Sequence, residues 1–250
     1  LTGSFFLDRL GFVSPFGPSR TRQLRGAVGT ETHLSLGESD VLAFGFEYQR
    51  ERFRNSFVTD ARSEVFPLVR NNFGWFVENR WERAGRLFLN TGVRLENIRT
   101  SALPADAFGS RPAVAERSTL AVNPKVSVAF LPRDGGGTRL HASAGTGLRA
   151  PDGFELAFTN HRALEPERTA SFDAGLEQEL AGRRAVVDLT YFFNRYRDLI
   201  VTLSGELRGL SRYRSDNLAN SRAQGLELSG AVRPASWISL SGHYTWLKSE

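Results

Sequence analysis

Apolar and polar residues alternate along most of the chain with the two-residue period of a β-strand. In residues 41–50, for example, Leu42, Phe44 and Phe46 alternate with Ala43 and Gly45. The pattern predicts ten strands, most of them longer than the five or six residues usual in soluble sheets. Their expected spans are 21–35, 41–54, 71–82, 86–99, 119–130, 138–149, 168–180, 184–199, 221–233 and 237–250. The first residues, which include Phe5, Phe6 and Leu7, are expected to be the end of a further strand.

The predicted connections between strands are alternately short and long. The short ones contain glycine, proline or aspartate, which favour the backbone dihedral angles of turns. They are 37–40, 83–85, 132–136, 181–183 and 234–236, and the long ones are 55–70, 100–118, 150–167 and 200–220. An up-and-down barrel in the outer membrane has short periplasmic turns and long extracellular loops. The order of the connections therefore favours such a barrel over a soluble sandwich.

One face of each predicted strand is apolar, and the other carries small, polar and charged residues. In residues 185–194, Val187, Leu189 and Tyr191 share the apolar face, whereas Asp188 lies on the other. A water-filled lumen accommodates such charges, which a dry core would not. We therefore expect residues 42, 44, 46, 87, 89, 187, 189 and 191 to face lipid. Four large apolar residues fall on the polar face without explanation: Phe76, Phe88, Val186 and Phe192.

Six aromatic residues lie near strand ends or along apolar faces: Tyr48, Trp81, Tyr191, Tyr196, Tyr244 and Trp246. Aromatic girdles occupy such positions at the boundary between lipid and water. The general preference of aromatic residues for strands explains each position equally well.

The length and composition of the chain are compatible with a membrane barrel. The chain has 250 residues and a mean hydropathy of -0.30, and it has no apolar run long enough for a transmembrane helix. Barrel strands average to neutral hydropathy, so this value does not exclude a membrane protein. Methionine is absent and no secretory signal precedes the first strand, so we expect residues 1–250 to be a partial barrel domain truncated at both ends. Ten strands alone would leave unpaired edges in lipid, which also predicts further strands.

The net charge of +5 does not indicate nucleic-acid binding. Lys125 and Lys248 are the only lysines, and the arginines are dispersed along the chain among acidic residues. The absence of cysteine excludes disulfides and thiolate metal sites.

No motif predicts a catalytic, cofactor or metal site, and we expect the protein not to be an enzyme. Residues 145–150 fit the dinucleotide fingerprint G-x-G-x-x-A, but they end a strand and are followed by Pro151, where the motif requires a helix. None of the four histidines has a partner at metal-ligand spacing. His33, His141 and His243 are expected on the lumen face of strands, and His161 in a long loop. Acidic residues in that loop lie among arginines, which favours structural ion pairs over an acid–base pair.

Several segments in residues 119–250 resemble the TonB-dependent outer-membrane receptors. They are Asn123–Val128, Gly147–Pro151, Ala163–Arg168, Thr190–Ile200 and Ala223–Leu228, in the order and at the spacing of the family. The segment 190–200, TYFFNRYRDLI, is similar to the family's YFYNRYKDLI pattern. Leu148 and Glu165 depart from the phenylalanine and lysine that are usual at these positions. Residues 1–118 resemble the family only in architecture.

The resemblance implies an all-β fold, part of a transmembrane antiparallel up-and-down β-barrel. About 10–11 of the family's expected 22 strands would be present, without the N-terminal plug domain that contacts TonB. It implies an outer-membrane receptor for energy-coupled uptake of a scarce nutrient such as a ferric siderophore or cobalamin. The partners would be that small molecule, outer-membrane lipid and, through the missing N-terminal region, TonB. A passive diffusion porin and an enzyme at the barrel rim remain the alternatives.

Ligand recognition is expected near the apex of the connection between Pro151 and Arg168, where aromatic and polar residues are mixed. The candidates are Phe154, Phe158, Asn160, His161 and Arg162, together with Tyr213 from another long connection. Arg149, Pro151, Pro166 and Glu167 belong to segments that resemble the family's motifs, and we expect them to serve structure. Arg149 and Glu167 are expected to form an ion pair that ties the two ends of the loop to the rim.

Overall fold

The computed structural model of the chain describes residues 2–14, 17–59, 62–105, 112–132, 137–157, 159, 164–207 and 210–250. Within these ranges, eleven antiparallel strands form one sheet in which each strand pairs with its neighbours in sequence. The strands are β1 Thr2–Ser14, β2 Gly17–Ser35, β3 Asp40–Thr59, β4 Arg62–Arg83, β5 Leu87–Thr100, β6 Arg117–Phe130, β7 Thr138–Arg149, β8 Glu167–Leu180, β9 Ala185–Leu207, β10 Leu210–Ala235 and β11 Ile238–Ser249. A short helix, α1, spans Gly153–Ala157. No helix in the described ranges is long and apolar enough to cross a membrane.

The tight turns predicted at 37–40, 83–85 and 181–183 are confirmed, whereas the turn predicted at 234–236 lies at residues 236–237 because β10 continues to Ala235. Between β4 and β5, Ala84 and Gly85 have φ angles of 54° and 63°. Positive φ at both central residues is the requirement of a type I′ hairpin turn. Positive φ also occurs at Ala181, Gly182 and Arg183 between β8 and β9. Residues 133–136 of the predicted turn 132–136 lie outside the described residues. These turns lie at one end of the strands, which we call the short-turn end of the sheet. We call the other end of the strands the long-loop end.

Two of the four predicted long connections are wrong, because strands continue through them. β3 and β4 remain paired as far as Thr59 and Arg62, and β9 and β10 as far as Leu207 and Leu210. In these continued parts apolar residues no longer recur regularly at every second position, so the two-residue alternation disappears although the backbone pairing continues. Most described residues of the connections 100–118 and 150–167 lie outside strands, as predicted.

The alternating apolar positions form one continuous outer face, the face opposite α1. Residues in direct register lie on the same face, and Leu189 stands between Leu176 on β8 and Leu228 on β10. All three are 43–47% exposed, which fits a surface that is covered by something other than protein. The residues predicted to face lipid share this face: Phe44, Val187, Leu189 and Tyr191 are exposed, whereas Leu42, Phe46, Leu87 and Leu89 are half-buried.

Glycines on neighbouring strands explain two of the four apolar residues on the inner face. Phe76 is in register with Gly45, and Phe192 with Gly225. Each ring covers the glycine so closely that a methyl group there would contact it. Phe88 lines an inner-face hollow near the short-turn end, together with Arg80 and His141. Nothing in the structure explains Val186.

An aromatic cluster marks the outer face toward the long-loop end. Tyr48 lies 5.0 Å from Phe73, Phe73 lies 6.4 Å from Trp75, and Phe46 lies 5.4 Å from Trp75, measured between ring centroids. This position is that of an aromatic girdle. Tyr196 is an exception to the predicted set, since its register with Thr169 and its parity with Phe192 place it on the inner face.

Adding a methyl group at Gly225 should destabilise the barrel. In Gly225→Ala, the new Cβ would overlap the carbonyl oxygen of Trp246, which is backbone and cannot rotate away. Overpacking of this kind costs about 1–2 kcal/mol for one methyl group. Gly145→Ala is the matched control, because its Cβ would meet only ordinary contacts at 3.5 Å. The midpoint temperature of thermal unfolding is measured for both variants of the full-length protein. Equal midpoints would contradict the close packing at Gly225.

Candidate functional site

We call residues 150–166, between β7 and β8, the mouth segment. Its described residues, 150–157, 159 and 164–166, lie on the inner face at the long-loop end. Its first part is helix α1, which begins with a reciprocal capping box. The Glu155 amide donates to Asp152 Oδ1 at 2.8 Å, and the Asp152 amide donates to Glu155 Oε2 at 2.7 Å. These two bonds satisfy backbone donors that a five-residue helix would otherwise leave unpaired.

Arg149, the last residue of β7, joins the two ends of the mouth segment. Its Nε donates to Glu167 at 2.6 Å, so the expected ion pair is present. The same guanidinium also donates from Nη2 and Nη1 to the two carboxylate oxygens of Glu155, at 2.7 and 3.0 Å. The second oxygen of Glu167 accepts the amide of Ile200 on β9 at 2.8 Å. The pair is therefore part of a network that fixes α1 to the strands β7, β8 and β9.

The electrostatics of this network favour its charged form. The hydrogen bond from Arg149 is the main reason why the pKa of Glu167 is below its ordinary value, and partial burial opposes it. Hydrogen bonds to Glu167 and Glu155 raise the pKa of Arg149 in turn. Folding lowers the pKa of Glu167, so its ionised carboxylate stabilises the folded state at neutral pH. This stabilisation is lost as the pH falls below about 4.3, the pKa of glutamate in the unfolded chain.

A second arginine holds the mouth segment against β4. Arg70 donates from Nη2 to the carbonyl oxygen of Pro151, and its Nη1 lies 3.6 Å from Glu51 on β3. Glu51 also accepts from Gln23 on β2 at 2.6 Å. Burial is the largest influence on Arg70 and lowers its pKa, although the surrounding carboxylates Glu51, Asp152 and Glu155 oppose the shift. A cation buried to this degree requires the carboxylate and the carbonyl that it contacts.

The mouth segment also buries apolar side chains against the inner face. Leu156 from α1 and Leu164 join a buried cluster with Phe53 on β3 and Leu68 on β4. Leu103 enters the same cluster from the other long connection, where it pairs with Val114. Gly153 contacts the ring of Phe53 so closely that any side chain there would overlap it. The core of the described residues therefore lies at the long-loop end and not along the sheet.

The far side of the mouth segment is attached to the extension of β9 and β10. Asn217 on β10 donates to the carbonyl oxygen of Glu165 at 2.9 Å and accepts the Glu165 amide at 2.7 Å. Thr159 forms an isolated bridge with Ser215, and both are almost completely buried. Irregular pairing at Asn217–Ser221 bends β10 at the base of this extension.

Contacts of α1 with both β3 and β10 show that the sheet is strongly curled. These strands are separated by seven strand-to-strand steps, which would amount to about 33 Å in a flat sheet. A five-residue helix cannot span that distance. The inner face is therefore concave, and the mouth segment lies across it at the long-loop end.

Charged residues on the inner face below the mouth segment are paired across strands. Arg94 lies 3.6 Å from Glu47 and 3.0 Å from Glu96, and it passes over Gly74. Lys125 reaches Glu78 over Gly92 in the same way. A side chain at either glycine would have to displace the crossing cation.

The predicted ligand residues are placed only in part by the structure. Phe154 lies on α1 with 40% of its surface exposed. Phe158, Asn160, His161 and Arg162 lie outside the described residues, and so does the side chain of Tyr213, whose backbone is part of β10. The predicted structural residues Arg149, Pro151, Pro166 and Glu167 come together at the two ends of the mouth segment, and both prolines are buried.

Several residues that position this site were not predicted from the sequence. The spacing Asp152-x-x-Glu155 is a capping-box signal and could have revealed α1. Arg70, Glu51 and Asn217 are remote in sequence from the segment that they hold, and no local pattern identifies them.

The described histidines lie where the sequence placed them, on the inner face. His33, His141 and His243 are in register with inner-face residues Ala43, Gly175 and Ser229. His141 Nε2 lies 3.2 Å from Thr190 and 3.4 Å from Asp188. Among the described residues, no three histidine, cysteine or carboxylate side chains are grouped as a metal site would require. His161 lies outside the described residues.

Comparison with known families gives one match, to the β-barrel of TonB-dependent receptor-like proteins, over residues 4–250. No curated protein sequence matches the chain.

Solved structures of outer-membrane transporters and receptors have the same fold. The copper transporter OprC is 22% identical with a TM-score of 0.74, covering 93% of this chain and 39% of its own. The siderophore receptor PirA from Pseudomonas aeruginosa is 16% identical with a TM-score of 0.71, covering 99% of this chain and 49% of its own. The alcaligin receptor FauA from Bordetella pertussis is 15% identical with a TM-score of 0.68, covering 99% and 42%. The chain thus spans about two fifths to one half of these proteins.

Proposed function

Since this chain belongs to the TonB-dependent receptor family, we propose that it forms part of the wall and the mouth of an outer-membrane receptor for energy-coupled uptake of a scarce nutrient. The proposal is carried by the position of the mouth segment across the concave inner face. Hydrogen bonds hold the segment to Arg70 on β4 at one side and to Asn217 on β10 at the other. A segment held in this way would present its apex to a ligand that enters the barrel.

The chemistry of the mouth favours an anionic, partly aromatic ligand such as a ferric siderophore. Phe154 is an exposed aromatic side chain on α1, and His161 and Arg162 follow within the same segment. Aromatic and arginine side chains commonly dominate recognition. OprC is described as a copper transporter, PirA as a siderophore receptor and FauA as an alcaligin receptor. Cobalamin is the second ligand class that we propose to test.

The orientation follows from the connections. We place the long-loop end outside the cell and the short-turn end in the periplasm, because outer-membrane barrels have this asymmetry.

Replacement of residues 158–162 by a Gly-Ser linker in the full-length receptor should abolish high-affinity binding of the ferric siderophore or cobalamin that the cells take up. The control replaces 133–136, which the sequence predicts to be a turn at the opposite end, by a Gly-Ser linker and should bind normally. Equilibrium binding to whole cells measures both. If the 158–162 replacement binds and imports as well as the parent, the ligand site lies elsewhere.

Cysteine labelling tests the orientation in the same cells, since the chain has no cysteine of its own. A cysteine at Asn160 should react with an impermeant maleimide on intact cells. A cysteine at Ser236, in the turn before β11, should react only after the outer membrane is permeabilised. The reverse pattern would invert the proposed topology.

Dependence on cellular energy separates an active receptor from a passive porin. Collapse of the inner-membrane potential should leave ligand binding intact and stop accumulation. Entry that continues to equilibrium without the potential would support the porin instead.

A further inference from the structure

Exposed arginines lie on the outer face just beyond the aromatic boundary at the long-loop end. Arg50 follows the girdle residue Tyr48 by two positions and points to the same face, as do Arg52 and Arg54. Arg9 on β1 and Arg22 on β2 complete what we call the first arginine patch. All five side chains are exposed. Two residues along a strand correspond to about 6.6 Å, so the patch begins at the depth of lipid headgroups.

The pairing register brings three of these arginines side by side. Arg9 is in register with Arg22, and Arg22 with Arg54. Strands in a sheet are about 4.8 Å apart, and like charges directly opposite one another are unfavourable. Within the part of the chain that the structure describes, none of the five has a carboxylate at ion-pair distance. The arrangement therefore leaves a concentrated positive charge without a counter-charge from the described residues.

A second arginine patch lies on the outer face of β8 and β9, also toward the long-loop end. Arg168 is in register with Arg197, and Arg195 follows the outer-face residue Phe193 by two positions. All three side chains are exposed, and no described carboxylate pairs with them. The outer face at the long-loop end therefore carries clustered arginines on two separate groups of strands, β1–β3 and β8–β9.

The distribution of charge differs between the two faces. On the inner face the cations Arg70, Arg94, Lys125 and Arg149 all contact carboxylates. On the outer face at this end, the carboxylate of Glu250 contacts Arg222 and Lys248. At this end the outer face carries eight exposed arginines without a described carboxylate partner, five in the first patch and three in the second.

We propose that the two arginine patches bind phosphate groups of the anionic glycolipid in the leaflet at the long-loop end of the barrel. Arginine matches phosphate oxygens with paired N–H donors, and a phosphate between neighbouring arginines converts their repulsion into attraction. The adjacent aromatic and apolar surface would hold the acyl chains of the same molecule. The assignment of this leaflet as the outer one rests on the orientation under the proposed function, whereas the binding itself does not.

The test uses the purified full-length receptor in detergent and diphosphorylated lipid A as the probe. The variant R22Q/R52Q/R54Q should bind lipid A about tenfold or more weakly than the parent, because charge-assisted contacts to phosphate are lost. The control R83Q/R184Q/R233Q removes the same charge from exposed positions near the short-turn end and should bind as the parent does. Native mass spectrometry measures bound lipid, with dephosphorylated lipid A as the comparison ligand.

A second variant, R168Q/R195Q/R197Q, tests the other patch and replaces the first if that variant does not fold. The proposal is overturned if both patch variants bind lipid A as the parent does, or if the control loses binding to the same extent. It is also overturned if an equal concentration of inorganic phosphate displaces lipid A completely. Nutrient binding at the mouth is measured on the same samples and should be unchanged, so failure of the proposed function is distinguishable from failure of this inference.

Discussion

Leu189→Arg should destabilise the complete barrel by about 2–4 kcal/mol, the cost of a cation near the middle of a lipid-facing surface. Leu189 is 47% exposed and lies between Leu176 and Leu228 on a face without charges at this level. Unfolding of the full-length protein in bilayers, followed over a range of denaturant concentrations, measures the difference.

The neighbouring strand offers a matched control for this substitution. Ser229→Arg introduces the same side chain next to Asp188, with which Ser229 is in register on the inner face. There the new cation meets water and a carboxylate, so the variant should unfold close to the parent. Asp188→Asn should also cost much less than Leu189→Arg. Equal destabilisation by the two arginine substitutions would overturn the assignment of the two faces.

Arg149→Met should release the mouth segment while leaving the barrel folded. It leaves the carboxylates of Glu155 and Glu167 close together without their shared cation, and both side chains are mostly buried. Removal of one partner from a fully buried pair costs about 3–5 kcal/mol. Arg149 is itself 46% exposed, so we expect about 2–3 kcal/mol after allowance for solvent screening. Amide hydrogen exchange at Glu155 and Leu156 should accelerate by about 30-fold or more.

Arg139→Met is the control for this prediction, because Arg139 forms a single exposed pair with Glu177 at the other end of the same two strands. Such a pair contributes about 0–1 kcal/mol, and exchange in the mouth segment should not change. In the parent, exchange at Glu155 should also accelerate as the pH falls below about 4.3, once exchange chemistry is corrected for pH, because Glu167 is then protonated in the open state. Unchanged protection of α1 in Arg149→Met would mean that Arg70 and the apolar cluster hold the segment without Arg149.

Prediction from sequence succeeded where the chain meets two different surroundings at once. Leu189 and Asp188 differ in polarity because one face of the sheet is apolar and the other polar. The polarity of the side chains therefore alternates with a period of two residues along the strand. The turn at Ala84 and Gly85 was equally accessible, because the positive φ angles of a tight hairpin favour glycine locally.

Prediction failed where that contrast ends. Between Asn55 and Arg70 the strands β3 and β4 continue without a regular apolar face, and only pairing with each other shows that they are strands. The same holds for β9 and β10 beyond Ile200. Phe76 and Phe192 contradicted the alternation because their partners, Gly45 and Gly225, lie on neighbouring strands and not nearby in sequence.

By itself, the sequence determined the antiparallel strands, their faces, the short turns and the family, since each depends on residues close together along the chain. Tertiary structure alone decided that the mouth segment lies across the concave face, because Arg70 and Asn217 reach it from strands on either side. It also decided that Arg9, Arg22 and Arg54 stand next to one another on the outer face. The register between strands sets these neighbours, and register depends on hydrogen bonds between distant segments, which no local pattern of side chains records.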